Sequence, residues 1–263
     1  MKIAFVGGGT MGEAMVSCLL AKGVAEPPDI AVSDVDKTRR ELLSGQYGVT
    51  AVADSREAIG GADVIVLAVK PQDLSRVMEE IGSPSPRQIV LSIVVGASLS
   101  TLHRGLGHPL IIRAMPNMPA RIGEGMTAWT ASPEVSEDQR KMVGDVLGAL
   151  GEKVYVADEK YIDMATALSG SGPAYVFLFI EALTDAGVHI GLPRDVAERL
   201  VIQTILGSVH TMEKAGKHPA ELRNMITSPG GTTAEALLEL EKGGFRSLLV
   251  TAVAAAYEKA KNL

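Results

Sequence analysis

Residues 7–12 read Gly-Gly-Gly-Thr-Met-Gly and follow directly on an apolar run, Ile3 to Val6. A strand that feeds a glycine-rich turn and then a helix can hold a pyrophosphate. Gly7 permits the tight turn, Gly9 lets backbone N–H groups approach the phosphates, and Gly12 lets helix and strand pack closely. With Gly8, Thr10 and Met11 completing the loop, the expected chemistry is dinucleotide binding. Asp34 stands 22 residues beyond Gly12, at the end of the next apolar run. Its carboxylate is placed to accept hydrogen bonds from adenosine ribose hydroxyls, which favours NAD over NADP. Lys37, Arg39 and Arg40 follow closely. They either reach a 2'-phosphate or form a solvated helix face, and the second is the ordinary reading.

A second glycine-rich stretch, Ser228-Pro-Gly-Gly-Thr-Thr-Ala-Glu235, also reads as a helix start. Thr232 followed three residues later by Glu235 has capping-box spacing. Gly230 and Gly231 remove side chains just ahead of it, so the remaining N–H groups and the positive end of the helix dipole stay open to an anion. A substrate carboxylate would fit at this helix start.

Two other stretches leave apolar runs where an open α/β sheet places its ligand: Ala68-Val69-Lys70-Pro71, expected to line the cofactor, and Arg113-Ala-Met-Pro-Asn-Met-Pro119, whose Asn117 is expected to present an amide on the nicotinamide side. His103, His108, His189, His210 and His218 show no metal-ligand spacing with each other or with Cys18, so no metal is expected. Tyr257 and Lys261 match the YxxxK spacing of short-chain dehydrogenases, but at the chain end that spacing reads as coincidence.

The elements that must position these residues are legible in outline. Runs at Ile3 to Val6, Ile30 to Ser33, Val64 to Val69, Ile89 to Val94 and Leu110 to Arg113 alternate with helical patterns, as βαβ units do. Met126 to Trp129 and Val154 to Val156 extend the same sheet. After Asp158 the pattern is helical only: Tyr161 to Ala167, Pro173 to Gly187, Arg194 to His210, Pro219 to Ile226, Thr233 to Glu241 and Gly244 to Lys261. The reading is an α/β fold: a Rossmann-type doubly wound, mostly parallel sheet over residues 1–157, then an all-helical dimerisation and substrate domain over 158–263.

Ala174 to Ile180 is apolar nearly all round, so that helix is expected to be buried on every side, with a second subunit as its cover; a homodimer follows. Met164 to Ile180, interrupted by Ser-Gly-Ser-Gly-Pro, reads as a loop feeding that helix, too short and too polar to span a bilayer. The glycines at 7–9 break the only apolar start before a secretory segment can form, and the single cysteine forms no intrachain disulfide, so a cytoplasmic protein is expected. With 25 basic against 31 acidic residues and a net charge of −6, a nucleic-acid partner is not expected; a small molecule is.

Five stretches taken together, GGGTMG at 7–12, AVKP at 68–71, RAMPNMP at 113–119, LSGSGPAYVFLFIEAL at 168–183 and SPGGTTAEALLELE at 228–241, resemble the pyrroline-5-carboxylate reductases across nearly the whole chain. The resemblance implies NAD(P)H reduction of a cyclic imino acid, 1-pyrroline-5-carboxylate, to L-proline. It also implies dimers often assembled into a decamer, with the active site near the dimer interface. It puts the pyrophosphate on Gly7 and Gly9 to Gly12 and the cofactor along Ala68 to Pro71. It implies that Ser228, Gly230, Gly231, Thr232 and Thr233 cradle the substrate, with the Thr233 hydroxyl as the candidate partner of the reacting nitrogen. Ser33-Asp34-Val35-Asp36 departs from the family's usual residues after the second strand, which leaves the choice between NADPH and NADH open. Two alternatives are a β-hydroxyacid dehydrogenase-like reductase, which would need a catalytic lysine that residues 161–213 lack, and a non-catalytic NAD(H)-sensing module, which would need no second anion cradle.

Overall fold

A computed structural model describes residues 1–262. The chain forms two compact units, Met1–Pro173 joined by the chain end from Ala256, and Ala174–Ala255.

The first unit is built on one eight-stranded sheet. Its strands are β1 (Ile3–Val6), β2 (Ile30–Ser33), β3 (Thr50–Val52), β4 (Val64–Leu67), β5 (Ile89–Ser92), β6 (Ile111–Met115), β7 (Gly125–Ala131) and β8 (Gly151–Tyr155). The spatial order is β3-β2-β1-β4-β5-β6-β7-β8. From β3 through β6 all neighbours are parallel. Every residue of β1, β4 and β5 is buried, the mark of strands covered by helices on both faces. Alternation along β1 assigns the layers. Ile3 and Phe5 join one core with Met15 and Leu19, while Ala4 and Val6 join the other with Leu74, Val77 and Leu102.

The sheet changes direction at one place. Between β6 and β7 runs a short connection holding only the 3-10 turn Met118–Ile122, so β7 returns antiparallel to β6. The helix Glu137–Gly148, opened by a capping box of Ser136 and Gln139, then supplies the crossover that sets β8 parallel to β7. Strands β3 and β8 lie at the two edges and carry little of the buried pattern. That is why β3 went unread in the sequence and β8 begins at Gly151, three residues earlier than Val154.

Residues 160–189 form one helical run, which corrects the reading of its Ser-Gly-Ser-Gly stretch as a loop. Helix Lys160–Ala165 passes into a π turn at Thr166–Gly170, closed by the Ser171 N–H on the Thr166 carbonyl at 2.8 Å, and then into helix Gly172–His189. By length and composition alone this longer run, Lys160–His189, would be able to cross a membrane, a test that the apolar helix of a soluble protein also passes.

The second unit is all-helical: the remainder of Gly172–His189, Arg194–Ala215, Pro219–Met225, Thr232–Lys242 and most of Phe245–Lys261. Gly187 lets two helices cross closely, for a Cβ there would lie 3.0 Å from the Cβ of Ala197. Among the described residues of this unit only Thr184, Ala197 and Val201 are buried. Phe177 and Leu178 are 52% and 65% exposed, so the apolar helix is not covered by its own chain.

Arg113, with a side chain 5% exposed, places a charge on the otherwise apolar strand β6. Its Nη1 donates to Glu159 Oε1 at 2.9 Å and its Nη2 to Asp163 Oδ1 at 2.6 Å. Removing one member of a buried ion cluster leaves the others uncompensated. Arg113→Ala is therefore expected to cost about 3 kcal/mol of stability, read by denaturant unfolding, and a loss under about 1 kcal/mol would show that the cluster carries no such weight.

Candidate functional site

Strand β1 delivers the chain to Gly7, whose φ of +104° suits glycine and whose Cβ, if present, would lie 2.6 Å from the Ala68 carbonyl oxygen. One turn on, a Cβ at Gly12 would lie 2.3 Å from the Gly7 oxygen, so helix Thr10–Ala21 can leave the strand at this angle only with glycine there. Gly9 is different. It caps the helix without a side chain, and a Cβ there would meet nothing within 4 Å. Among the described residues the amides of Gly9, Thr10, Met11 and Gly12 have no hydrogen-bond partner. Free N–H groups at the positive end of a helix, beside a position kept clear of side chains, suit a phosphate.

The peptide between Gly8 and its neighbours is held from both sides. The Gly8 N–H donates to Asp34 Oδ2 at 2.8 Å. The Gly8 carbonyl accepts from Arg39 Nε at 3.0 Å and Nη2 at 2.6 Å. Arg39 also pairs with Glu13 at 2.6 Å, and the Tyr47 hydroxyl donates to Glu13 Oε1 at 3.1 Å. The hydrogen bond from Arg39 holds the Glu13 carboxyl below the usual carboxylate range, while burial, aided by Glu13, raises the Tyr47 phenol. Arg40 donates to the carbonyls of Asp34 and Val35 at 2.7 and 3.0 Å. The solvated face expected of Arg39 and Arg40 is thus corrected: both guanidiniums are bound to backbone around the glycine loop. Long side chains that fold back onto a loop in this way leave no spacing signal in the sequence.

Beside the loop opens a cavity of about 260 Å³, lined among others by Gly7, Gly9, Asp34, Val69, Lys70 and Arg76. It lies at the carboxyl ends of β1, β2 and β4. Ala68, N–H bonded to Val6, follows the end of β4, Lys70 is exposed, and Pro71 opens a short 3-10 turn. Asp34 already serves the structure, since Oδ1 accepts the Asp36 N–H at 2.9 Å while Oδ2 holds Gly8. The structure brings the N-terminal loop, Asp34 and Ala68 to Lys70 together. It does not bring Asn117 among them: that amide accepts from the Met126 N–H at 2.9 Å and donates to Ser169 Oγ at 3.2 Å.

In the second unit, Gly231 is the helix N-cap, without a side-chain bond, and Thr232 is the first helical residue. The capping box expected of Thr232 and Glu235 is therefore corrected: the chain enters the helix one residue sooner, because the Gly231 N–H turns back onto the Ser228 carbonyl at 3.1 Å. A Cβ at Gly231 would lie 2.5 Å from Ser228 Oγ. Among the described residues the Thr232 and Thr233 amides have no partner, so this helix start keeps the open donors of an anion cradle. Also among the described residues, no group of three His, Cys, Asp or Glu side chains is placed to hold a metal ion.

Comparison with known proteins adds the following. Residues 159–263 match the family model described as pyrroline-5-carboxylate reductase dimerisation, and residues 2–96 match NADP oxidoreductase coenzyme F420-dependent. A pyrroline-5-carboxylate reductase of Synechocystis sp. is 42% identical over 100% of this chain and 98% of its own length, and that of Escherichia coli is 39% identical over 100% and 98%. The solved Plasmodium falciparum pyrroline carboxylate reductase with NADP bound superposes with a TM-score of 0.92 at 34% identity, covering 100% of this chain and 97% of the other.

The clear space at Gly9 separates ligand from fold. Gly9→Val is expected to leave the melting temperature unchanged while weakening binding of the reduced nicotinamide cofactor by more than about tenfold, followed by its fluorescence. Unchanged affinity would remove the loop from the site.

Proposed function

This chain belongs to the pyrroline-5-carboxylate reductase family, and from that premise we propose that it reduces 1-pyrroline-5-carboxylate to L-proline with a nicotinamide cofactor, the last step of proline biosynthesis. Full-length identity of 42% to a reductase of that name carries the reading. The residues present fit the cofactor: Gly9 to Gly12 offer open amides to the pyrophosphate, Asp34 with Ala68, Val69 and Lys70 lines the cavity beside them, and Pro71 follows directly on that lining. When bound, the reduced cofactor supplies the hydride that the imine carbon accepts.

The chain's own residues do the rest. Amides at the Ser228 to Thr233 helix start hold the substrate carboxylate. An imine carbon becomes a good hydride acceptor when its ring nitrogen is protonated or hydrogen-bonded, and the half-buried Thr233 hydroxyl is the group we assign to that nitrogen. A hydroxyl is a poor acid, so Thr233 orients the iminium or relays a proton.

The Asp34 carboxylate repels a 2'-phosphate and leans the choice of cofactor toward NADH, although Arg39 and Arg40 are near. We assign residues 1–157 to cofactor binding and 158–263 to dimerisation and substrate binding. The exposed apolar helix 174–180 supports a homodimer, with further assembly into a decamer following the family. The protein acts in the cytoplasm on this reading, without nucleic acid or membrane as a partner. The absence of lysine from residues 161–213 argues against β-hydroxyacid dehydrogenase chemistry, and the second anion cradle argues against a sensor.

The assay is oxidation of NADH and of NADPH on adding 1-pyrroline-5-carboxylate, and a folded protein that consumes neither refutes the activity. In the same assay Thr233→Val should lower turnover about ten- to a hundredfold, about 1.4 to 2.7 kcal/mol, with the KM for cofactor nearly unchanged. Full turnover in that variant would free Thr233 of its role. Light scattering should give a multiple of the 27.6 kDa chain mass at micromolar concentration, and a monomer there would contradict the assembly.

A further inference from the structure

Arg113, Met115 and Asn117 lie on alternate positions of β6 and its continuation, and Asn117 is still extended, with φ −114° and ψ 172°. Alternate residues of a strand share a face. All three touch the same stretch of chain, residues 159–170. Arg113 binds Glu159 and Asp163, a Cβ on Gly170 would lie 3.1 Å from the Met115 methyl carbon, and the Asn117 amide donates to Ser169 Oγ at 3.2 Å. The orientation of that amide is dictated. Its other end faces the Met126 N–H, which only an oxygen can accept, so the NH₂ must face Ser169.

What the strand holds in this way is the π turn Thr166–Gly170, a geometry rare in proteins and concentrated where a helix serves a site. Strand order β3-β2-β1-β4-β5-β6 fixes what lies nearby. With the pyrophosphate loop at the end of β1 and the adenosine side at Asp34 after β2, the nicotinamide half of a dinucleotide extends over the carboxyl ends of β4 to β6. Asn117 stands just past the end of β6.

We propose that Asn117 and Ser169 are a positioning pair that holds the π turn as a wall on the nicotinamide side of the cofactor groove, so that Asn117 acts through Ser169 rather than by touching the ring. The proposal rests on the reductase reading. Its signature is coupling: once either half of the pair is removed the turn is released, and removing the other half does no more harm.

The experiment compares Asn117→Ala, Ser169→Ala and the double variant with the wild type, in the assay with 1-pyrroline-5-carboxylate. Each single change should lower kcat about ten- to a hundredfold, the cost of a small misplacement at a reacting centre. The double variant should be no slower than the worse single one. KM for the cofactor should stay within about twofold, and the primary deuterium isotope effect with 4-deuterated cofactor should rise as hydride transfer becomes slower than product release. Thermal unfolding of each variant separates lost folding from lost alignment, and Ser169→Ala, a change of one atom, guards against collapse at Asn117. An unchanged kcat in Ser169→Ala, or losses that multiply in the double variant, would overturn the pair. A wild-type protein that turned over nothing would instead strike the activity, and the proposal with it.

Discussion

A guanidinium inside a sheet has to be neutralised where it stands. Arg113 sits in β6 among residues that are buried around it, and its two carboxylate partners come from the start of the next helical run. Glu159 also accepts the Leu99 N–H at 2.7 Å, which draws the helix Leu99–Leu106 into the same knot. The charge therefore fixes three elements against one another at the carboxyl edge of the sheet. It also explains why residues 159–173, which fall in the family's dimerisation segment, remain with the sheet as a compact body. Such a cluster is weak as a source of stability, and its two bonds tie the arginine to two residues one helical turn apart.

How much of this was legible depended on where each residue lies. Strands β1, β4 and β5 are covered on both faces and show as unbroken apolar runs. Edge strands β3 and β8 are half solvent-facing, and a polar Glu152-Lys153 pair hides the second of them. The glycine loop could be read because its demands are steric and local. Arg39 on the Gly8 carbonyl and Asn117 on Ser169 could not, since each joins residues distant in sequence through a side chain that alone looks like surface. The π turn hides behind serine and glycine, which usually mark loops. Here glycine at 170 leaves the turn close against the Met115 methyl end.

The two glycine-rich segments share one solution to an electrostatic problem. On the proposed function a chain of net charge −6 has to attract anionic ligands, and at both places it offers unpaired backbone amides at a helix start. Backbone donors carry no side-chain entropy to lose. At the N-terminal loop this economy goes further, because Asp34 and Arg39 grip the Gly8 peptide from opposite sides and leave the loop little freedom to surrender on binding.

The thinly buried interior of the helical unit has a consequence for how the protein persists in a cell. With only Thr184, Ala197 and Val201 buried among its described residues, residues 174–255 draw little of their cohesion from within. If association completes the fold, as the proposed homodimer requires, mass action makes its stability depend on chain concentration. Chains made too sparsely to find each other would present Phe177, Leu178 and Leu248 to the solvent, and so to the proteases and chaperones that read apolar surface.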